Sequence, residues 1–463
     1  MGLCGKGNAS RRAVRFWAVI MKWCPGRARR TVYCLAIASL VLMSVSVSAA
    51  GAASRVVGSM GNSATRYGAV SRDYWPTDGW RTSTPEEQGM SSAYLDDAIK
   101  LIVDGGYPTD SFIVVRHGYV VCEEYWHGMY YGLLHHLQSA GKSITSILIG
   151  IAIDKGFIRN VSQRVVDFFP GWQIANLDSR KRNMTLWHLL TMTTGLAWDE
   201  WTLPYSDYRN SFHAMYDSGN WAQYFLNLPM AFQPGEKWVY CSGASLLLGV
   251  IIQQTSNYSV ASFARKFLFD PIGVGDVAWD TALGGYYDTA GGLYMTPRDM
   301  AKVGYLMLNN GTWNGEEIVS AGWVAESTKT SLRQHMTNPI VADFVGYGYQ
   351  WWTYPLIDGY FASGYGGQHI YVVPYLDLVV VFAADPSFDG PDPSYQLMPG
   401  YIYSSVLNEG SHSEKPFGVL SSSDMIVILC VVIVAAAVLI DVSMALRHGG
   451  RKLGAETVRM NRQ

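Results

Sequence analysis

Residues 139–142 read Ser139-Ala140-Gly141-Lys142, the one S-x-x-K in the chain, and they open an apolar run, Lys142 to Lys155, that reads as a buried helix ended by Gly156. Positions three apart on a helix share a face, so the lysine amine can reach the serine hydroxyl. At a helix N-terminus, free backbone N–H groups favour developing negative charge. A serine hydroxyl becomes a useful nucleophile when a neighbouring base takes its proton, and a desolvated lysine can be that base. Taken alone, the same four residues also suit an N-cap serine followed by a solvated lysine.

Working outward, Tyr240-Cys241-Ser242 follows the turn Gln233-Pro234-Gly235-Glu236 and opens a second apolar helix, Ser242 to Thr255. Tyr240 is a candidate base or proton relay and Ser242 a candidate hydrogen-bond partner. A structural aromatic beside a helix cap is the plainer alternative. A third segment, Ala362-Ser363-Gly364-Tyr365-Gly366-Gly367-Gln368-His369, leads into the strand-like Ile370 to Val373. Its glycines permit close approach of a ligand to the backbone. N–H groups near Gly367 and Gln368, with that of Ser139, could form an oxyanion hole; a flexible hairpin turn fits equally well.

Around these segments the chain alternates strand and helix signals. Ser111 to Tyr125 is a hairpin about His117-Gly118, Thr185 to Thr194 is a helix, and Pro297 to Asn309 is a helix with Thr296 as N-cap. Gln368 to Val373 and Leu376 to Ala383 read as strands joined at Pro374, and 386–400 as a loop. The expectation is one mixed α/β unit, with a sheet contributed by both ends and a mainly helical insertion between.

Together the three segments closely resemble the serine β-lactamase and penicillin-binding protein superfamily. The branch most similar is that of class C β-lactamases, their esterase relatives and the 6-aminohexanoate-dimer hydrolase type. Further blocks carry the resemblance: Phe168 to Trp172, Thr185 to Leu196, Phe232 to Gly249 and Ala290 to Gly304, in that order. It spans about 83–408. It implies a β-lactamase/transpeptidase-like fold, an antiparallel sheet flanked by helices with an inserted mainly helical domain. It also implies an acyl-enzyme mechanism without metal or organic cofactor. Ser139 would be the nucleophile and Lys142 and Tyr240 would share the base and acid roles. Ser242, Ser363, Gly364, Gly367, Gln368 and His369 would line the substrate and oxyanion site. The pattern departs from the family at Ala362-Ser363-Gly364, where K-T-G or H-x-G is usual, and at Ser242, where asparagine is common. The cation that meets a substrate carboxylate is therefore missing, unless His369 or His117 replaces it; His135 and His136 read as loop residues. An ester or amide substrate, small or peptide-like, is expected ahead of a β-lactam. β-Lactamase or D-Ala-D-Ala carboxypeptidase activity, or a catalytically silent surface binding protein on the same scaffold, are the alternatives.

Composition narrows the remaining classes. The 463 residues are 49% hydrophobic but only 16% charged, with a formal charge of −2. A nucleic-acid binder is disfavoured, and no C-x-x-C, H-E-x-x-H or G-x-S-x-G is present to suggest a zinc site or an α/β-hydrolase elbow. Residues 1–30 carry eight Lys/Arg and no Asp/Glu, and 447–463 carry five against Glu456, leaving a net −14 in 31–446. Each basic tail abuts an uncharged or nearly uncharged apolar run. Thr31 to Ala53 reads as a signal peptide or an uncleaved anchor. Met425 to Leu446 reads as a transmembrane helix with a basic cytoplasmic tail. The expected organisation is leader 1–54, lead-in 55–82, catalytic domain 83–408, linker 409–424, membrane helix 425–446 and tail 447–463, with the acidic body outside the cell membrane. Cys122 and Cys241, alone in that body, leave a disulfide and free buried thiols both open.

Overall fold

β-Branched and aromatic residues build the first hairpin, Thr109–Arg116 (β1) and Tyr119–Tyr125 (β2). His117 and Gly118 at its tip both have positive φ (51° and 89°), the conformation a tight two-residue hairpin turn requires. The computed structural model describes residues 72–281, 285–330, 332–333, 346–354, 358–387 and 392–407. Further strands are Leu332–Arg333 (β3), Gly346–Tyr347 (β4), Trp352–Tyr354 (β5), Gly359–Gly364 (β6), Gln368–Val373 (β7) and Leu378–Ala384 (β8). Among the described residues they form one antiparallel sheet in the order β2-β1-β8-β7-β6-β5-β4-β3. Phe112 lies opposite Phe382 and Val114 opposite Val380, so the two ends of the body meet at the sheet centre, as expected.

Both faces of the central strands are apolar, and each has its own cover. Phe112, Val114, Tyr371, Val380 and Phe382 pack on helix α1 (Ser92–Asp104) and on Leu397, Met398 and Ile402. Ile113, Val115, Ile370, Val379 and Val381 face a larger core that includes helices α2 (Gly141–Asp154), α3 (Ser242–Ser256) and α4 (Pro297–Leu308). Helix α2 is buried from Gly141 through Ala152, which is why its sequence shows no polar stripe. Each fully buried Ile or Leu contributes about 1.5–3 kcal/mol, so α2 is held by packing, and its first turn, which carries Lys142 and directly follows the Gln138–Ala140 turn of Ser139, is rigidly placed.

Several local expectations are corrected. Ala362-Ser363-Gly364 belongs to strand β6, and only Tyr365–Gly367 forms a turn. The helix expected over Thr185 to Thr194 is shorter, Leu186–Leu190; it ends where Met192 takes a positive φ of 56°. Part of the expected loop 386–400 is helical: Ser394–Leu397 continues into Met398–Ile402 and Tyr403–Leu407. Burial of Leu397, Met398 and Ile402 outweighs the loop-like composition around them. Residues 72–82, read as a lead-in, pack onto the domain through a double hydrogen bond from Arg72 to Asp377 and a Trp75–Trp313 ring contact. No helix among the described residues is long and apolar enough to cross a membrane. The two apolar runs, 31–53 and 425–446, lie outside the described residues.

Candidate active site

The turn before α2 is braced from both sides. His135-His136 forms a short antiparallel pair with Met295 and Tyr294 rather than the expected loop. The His136 ring stacks on Tyr294 at 4.3 Å, and its Nε2 bonds Gly291 O at 2.7 Å. His135 Nε2 bonds Asp110 Oδ2 at 3.0 Å. On the opposite side β6 presses in at Gly364. A Cβ there would stand 2.3 Å from Leu137 O and 3.0 Å from Ala140 N, so only glycine permits the approach. Ser139 lies between, in the short 3-10 turn Gln138–Ala140 that runs into α2.

Lys142 is buried at 2% exposure, and its Nζ donates to Ser139 Oγ and to Ala290 O, both at 2.8 Å. Ala290 is itself positioned by Asp288, whose Oδ1 accepts from the N–H groups of Ala290 (2.9 Å) and Gly291 (3.0 Å). Burial raises the Asp288 carboxyl above the usual carboxylate range despite those bonds and nearby Lys142. The Tyr240 ring centroid is 5.0 Å from Lys142 Nζ. Serine, lysine and tyrosine thus converge from segments 101 residues apart in sequence.

Behind Tyr240, Ser242 starts α3 and does not line the cavity; its hydroxyl and N–H both donate to Glu200, at 2.8 and 2.7 Å. Glu200 also accepts from Trp198 Nε1 at 2.7 Å and Tyr205 hydroxyl at 2.9 Å. The buried carboxylate therefore ties the Tyr240 segment to 198–205. Cys241 and Cys122 are free thiols, which removes the disulfide alternative. Burial pushes the Cys122 thiol up to about 12 and that of Cys241 well above its ordinary value.

A cavity of about 460 Å³ opens over Ser139 and Tyr240. Ser363, Gly364, Tyr365, Gly366 and Gly367 form one wall, and Trp201, Tyr205 and Trp352 another, with Asp392 and Tyr395 beyond. Gln368 does not reach it: its side chain is buried, donating to Ala384 O at 2.5 Å and accepting from Ala384 N at 3.1 Å. His369 is buried at 1% exposure and bonds Asp392 Oδ2 through Nε2 at 2.5 Å. It therefore does not replace the cation missing at Ala362, which faces the inner core. His117, in the β1–β2 turn, pairs with Gln88 away from this cavity. Glu200, Trp201, Tyr205, Trp352, Asp392 and Tyr395 carry no short motif, and sequence reading missed them.

The family model described as Beta-lactamase matches residues 92–395. The 6-aminohexanoate-dimer hydrolase of Paenarthrobacter ureafaciens is 26% identical over 290 residues, covering 59% of this chain and 71% of its own length. The structure of a putative 6-aminohexanoate-dimer hydrolase from Bacillus anthracis is similar at a TM-score of 0.56 and 20% identity, over 68% of this chain and 83% of that one. A family VIII carboxylesterase is similar at 0.53 and 16% identity, over 70% and 98%. With the fold, the Ser139 and Lys142 turn and the family match in agreement, the chain belongs to the beta-lactamase family and is a serine hydrolase of the β-lactamase and penicillin-binding protein superfamily.

Proposed function

We propose that the protein hydrolyses carboxylic esters or amides through an acyl-enzyme on Ser139, with its catalytic domain outside the cell membrane and a C-terminal anchor at 425–446. The observation that carries the chemistry is the 2.8 Å contact between Lys142 Nζ and Ser139 Oγ at the cavity floor. Ser139 Oγ adds to the substrate carbonyl carbon as its proton passes to Lys142. Backbone N–H groups, that of Ser139 among them, stabilise the oxyanion. Tyr240, beside Lys142, relays the proton to the departing alcohol or amine as the C–O or C–N bond breaks. Water then adds to the acyl carbon and yields a proton to the same groups. Ser139 leaves with that proton and the acid is released.

Ester hydrolysis is favoured over β-lactam hydrolysis because Ala362 supplies no cation for a substrate carboxylate. A charge-assisted hydrogen bond is worth roughly 1.5–3 kcal/mol, about ten- to a hundredfold in rate when it acts in the transition state. The flanking apolar runs and basic tails support the anchoring and orientation. The test uses a serine-directed fluorophosphonate, p-nitrophenyl esters and nitrocefin. Labelling and esterase turnover are expected, both lost in Ser139→Ala by about a thousandfold or more. Near-normal turnover in Ser139→Ala would overturn the mechanism. A kcat/KM for nitrocefin above that for the best ester would overturn the substrate preference.

A further inference from the structure

Two backbone segments must stay in register for Lys142 to act on Ser139. One is the turn that carries Ser139; the other is the turn whose Ala290 carbonyl accepts from Lys142 Nζ at 2.8 Å. The same Nζ bonds Ser139 Oγ at 2.8 Å, so the lysine is tethered to both. Any slippage between the turns acts directly on the contact between base and nucleophile. The two lie against each other, because a Cβ on Gly291 would stand 3.8 Å from Gln138 C. Helices hold the second turn: Thr145 Oγ1 on α2 donates to Thr289 O, and Thr289 Oγ1 donates to Ser245 O on α3, both at 2.9 Å. In the first turn Gln138, the residue before Ser139, has φ 50°, in the left-handed region that a Cβ disfavours. Such a conformation persists where its surroundings over-determine it.

One side chain joins the two turns. His136, half-buried, bonds Gly291 O through Nε2 at 2.7 Å, and its Nδ1 meets the Gln138 side-chain amide at 2.9 Å. A carbonyl oxygen only accepts, so Nε2 is the donor to Gly291. The Gln138 amide offers both a donor and an acceptor and matches Nδ1 with or without a proton. The link therefore does not depend on the charge of the ring. Tyr294, the cross-strand partner of His136, fixes the ring plane by stacking within 10° of parallel at 4.3 Å. Its hydroxyl in turn donates to Asp280 Oδ2 at 3.2 Å. Neither His136 nor Gln138 lines the cavity, so neither meets the substrate.

We propose that His136 is a positioning residue for the reaction. By bonding Gln138 on one side and Gly291 on the other, it locks the Ser139 turn against the Ala290 carbonyl and so sets the Lys142 Nζ to Ser139 Oγ contact. The inference rests on the hydrolytic reading above and adds the residue that aligns its nucleophile with its base. A displacement of about 1 Å at a reacting group can cost a hundredfold in rate. The aromatic wall of Trp201, Tyr205 and Trp352 comes from other segments. Loss of the link should therefore slow acylation far more than it weakens binding.

The experiment measures, on the full chain, the kinetics of p-nitrophenyl butyrate hydrolysis and the second-order rate of labelling by a fluorophosphonate. His136→Phe keeps a ring against Tyr294 and removes both bonds; His136→Gln loses the ring and keeps a donor for Gly291 O. His136→Phe is expected to lower kcat and the labelling rate by about ten- to a hundredfold, with KM changed by less than about threefold. His136→Gln should retain more of both rates than His136→Phe. Gln138→Met, which breaks the link from its other end, should slow the wild type and have little further effect in His136→Phe. Should His136→Phe not fold, Gln138→Met and His136→Gln still decide. Unchanged labelling in folded His136→Phe, or a rise in KM alone, would overturn the positioning role and leave the hydrolase intact. Losses that simply add in the double variant would sever Gln138 from it. A His136→Gln slower than His136→Phe would assign the role to ring packing and refute the bonded link. A wild type that neither labels nor turns over ester would count against the hydrolytic reading and this one together.

Discussion

Glu200 shows how much of this site depends on one side chain that touches no substrate. Its carboxylate accepts bonds from Trp198, Tyr205 and both the N–H and hydroxyl of Ser242. An amide at this position has one acceptor oxygen and places donor N–H groups against the others. Each buried donor left unpaired costs about 1–3 kcal/mol. Glu200→Gln is therefore expected to lower stability by roughly 2–4 kcal/mol in urea unfolding, and to lower kcat because Tyr240 stands two residues before Ser242. A variant with unchanged midpoint and kcat would show that the Glu200 bonds do not position Tyr240. Ser242→Ala removes only the hydroxyl and should have a smaller effect of the same sign. His188 contributes one part of the pH dependence. Burial lowers its pKa to about 4, and its Nδ1 accepts the Thr185 N–H at 2.9 Å, which only an unprotonated ring can do. The depressed value means that the contribution is fully present above the unfolded pKa of about 6.5 and is lost as pH falls towards 4, about 2–3 kcal/mol in all. Between pH 7.5 and 4.5 the urea midpoint of the wild type should fall more than that of His188→Gln, whose amide oxygen still accepts. Equal falls would assign the acid sensitivity elsewhere.

At the scale of elements, the decisive contact is β6 against the turn that starts α2. Gly364→Ala would drive a methyl group to 2.3 Å from Leu137 O, a backbone atom with no rotamer to yield. Either β6 withdraws from the sheet or the Ser139 turn shifts; a shift of about 1 Å in a reacting group can cost a hundredfold. Gly364→Ala should thus lose activity by at least that factor, with thermal stability reduced. Full activity would mean that β6 and the nucleophile turn are not coupled. By contrast α2 itself tolerates little ambiguity, since it is buried through three turns. Its helical state was legible from the largely apolar run and Gly156. The helix at Ser394–Leu397 was not, because Pro, Gly and Asp around it signal a loop and only the cluster it joins with α1 and one face of the sheet buries its apolar residues.

For the whole molecule, the proposed arrangement has the acidic body outside the membrane and the basic tail inside. Protease added to intact cells is expected to digest the body while a tag after Gln463 stays protected. Accessibility of that tag without permeabilisation would reverse the orientation. The sheet supports the reading of one catalytic body, because β1 and β8 pair across separations of 262 to 275 residues in sequence, from Arg116–Leu378 at the near end to Thr109–Ala384 at the far end. That closure brings the third segment beside the first.

By itself the sequence determined what local spacing and periodicity encode: the Ser139 and Lys142 pair one helical turn apart, the hairpin at His117-Gly118, the apolar runs of α2 and α3, and the charge segregation. The motifs, read through family resemblance, also indicated that Tyr240 belongs with them. Only the tertiary structure decided which side chains line the cavity and which support it. Ser242 finds Glu200 from 42 residues away and His369 finds Asp392 from 23. Such pairs have no fixed spacing, because their meeting depends on how sheet and helices close rather than on the repeat of any one element. For the same reason Gln368 and His369, placed in the substrate site by their position after the glycines, turn inward: alternation along β7 and the demand that buried polar atoms be bonded send their side chains to Ala384 and Asp392.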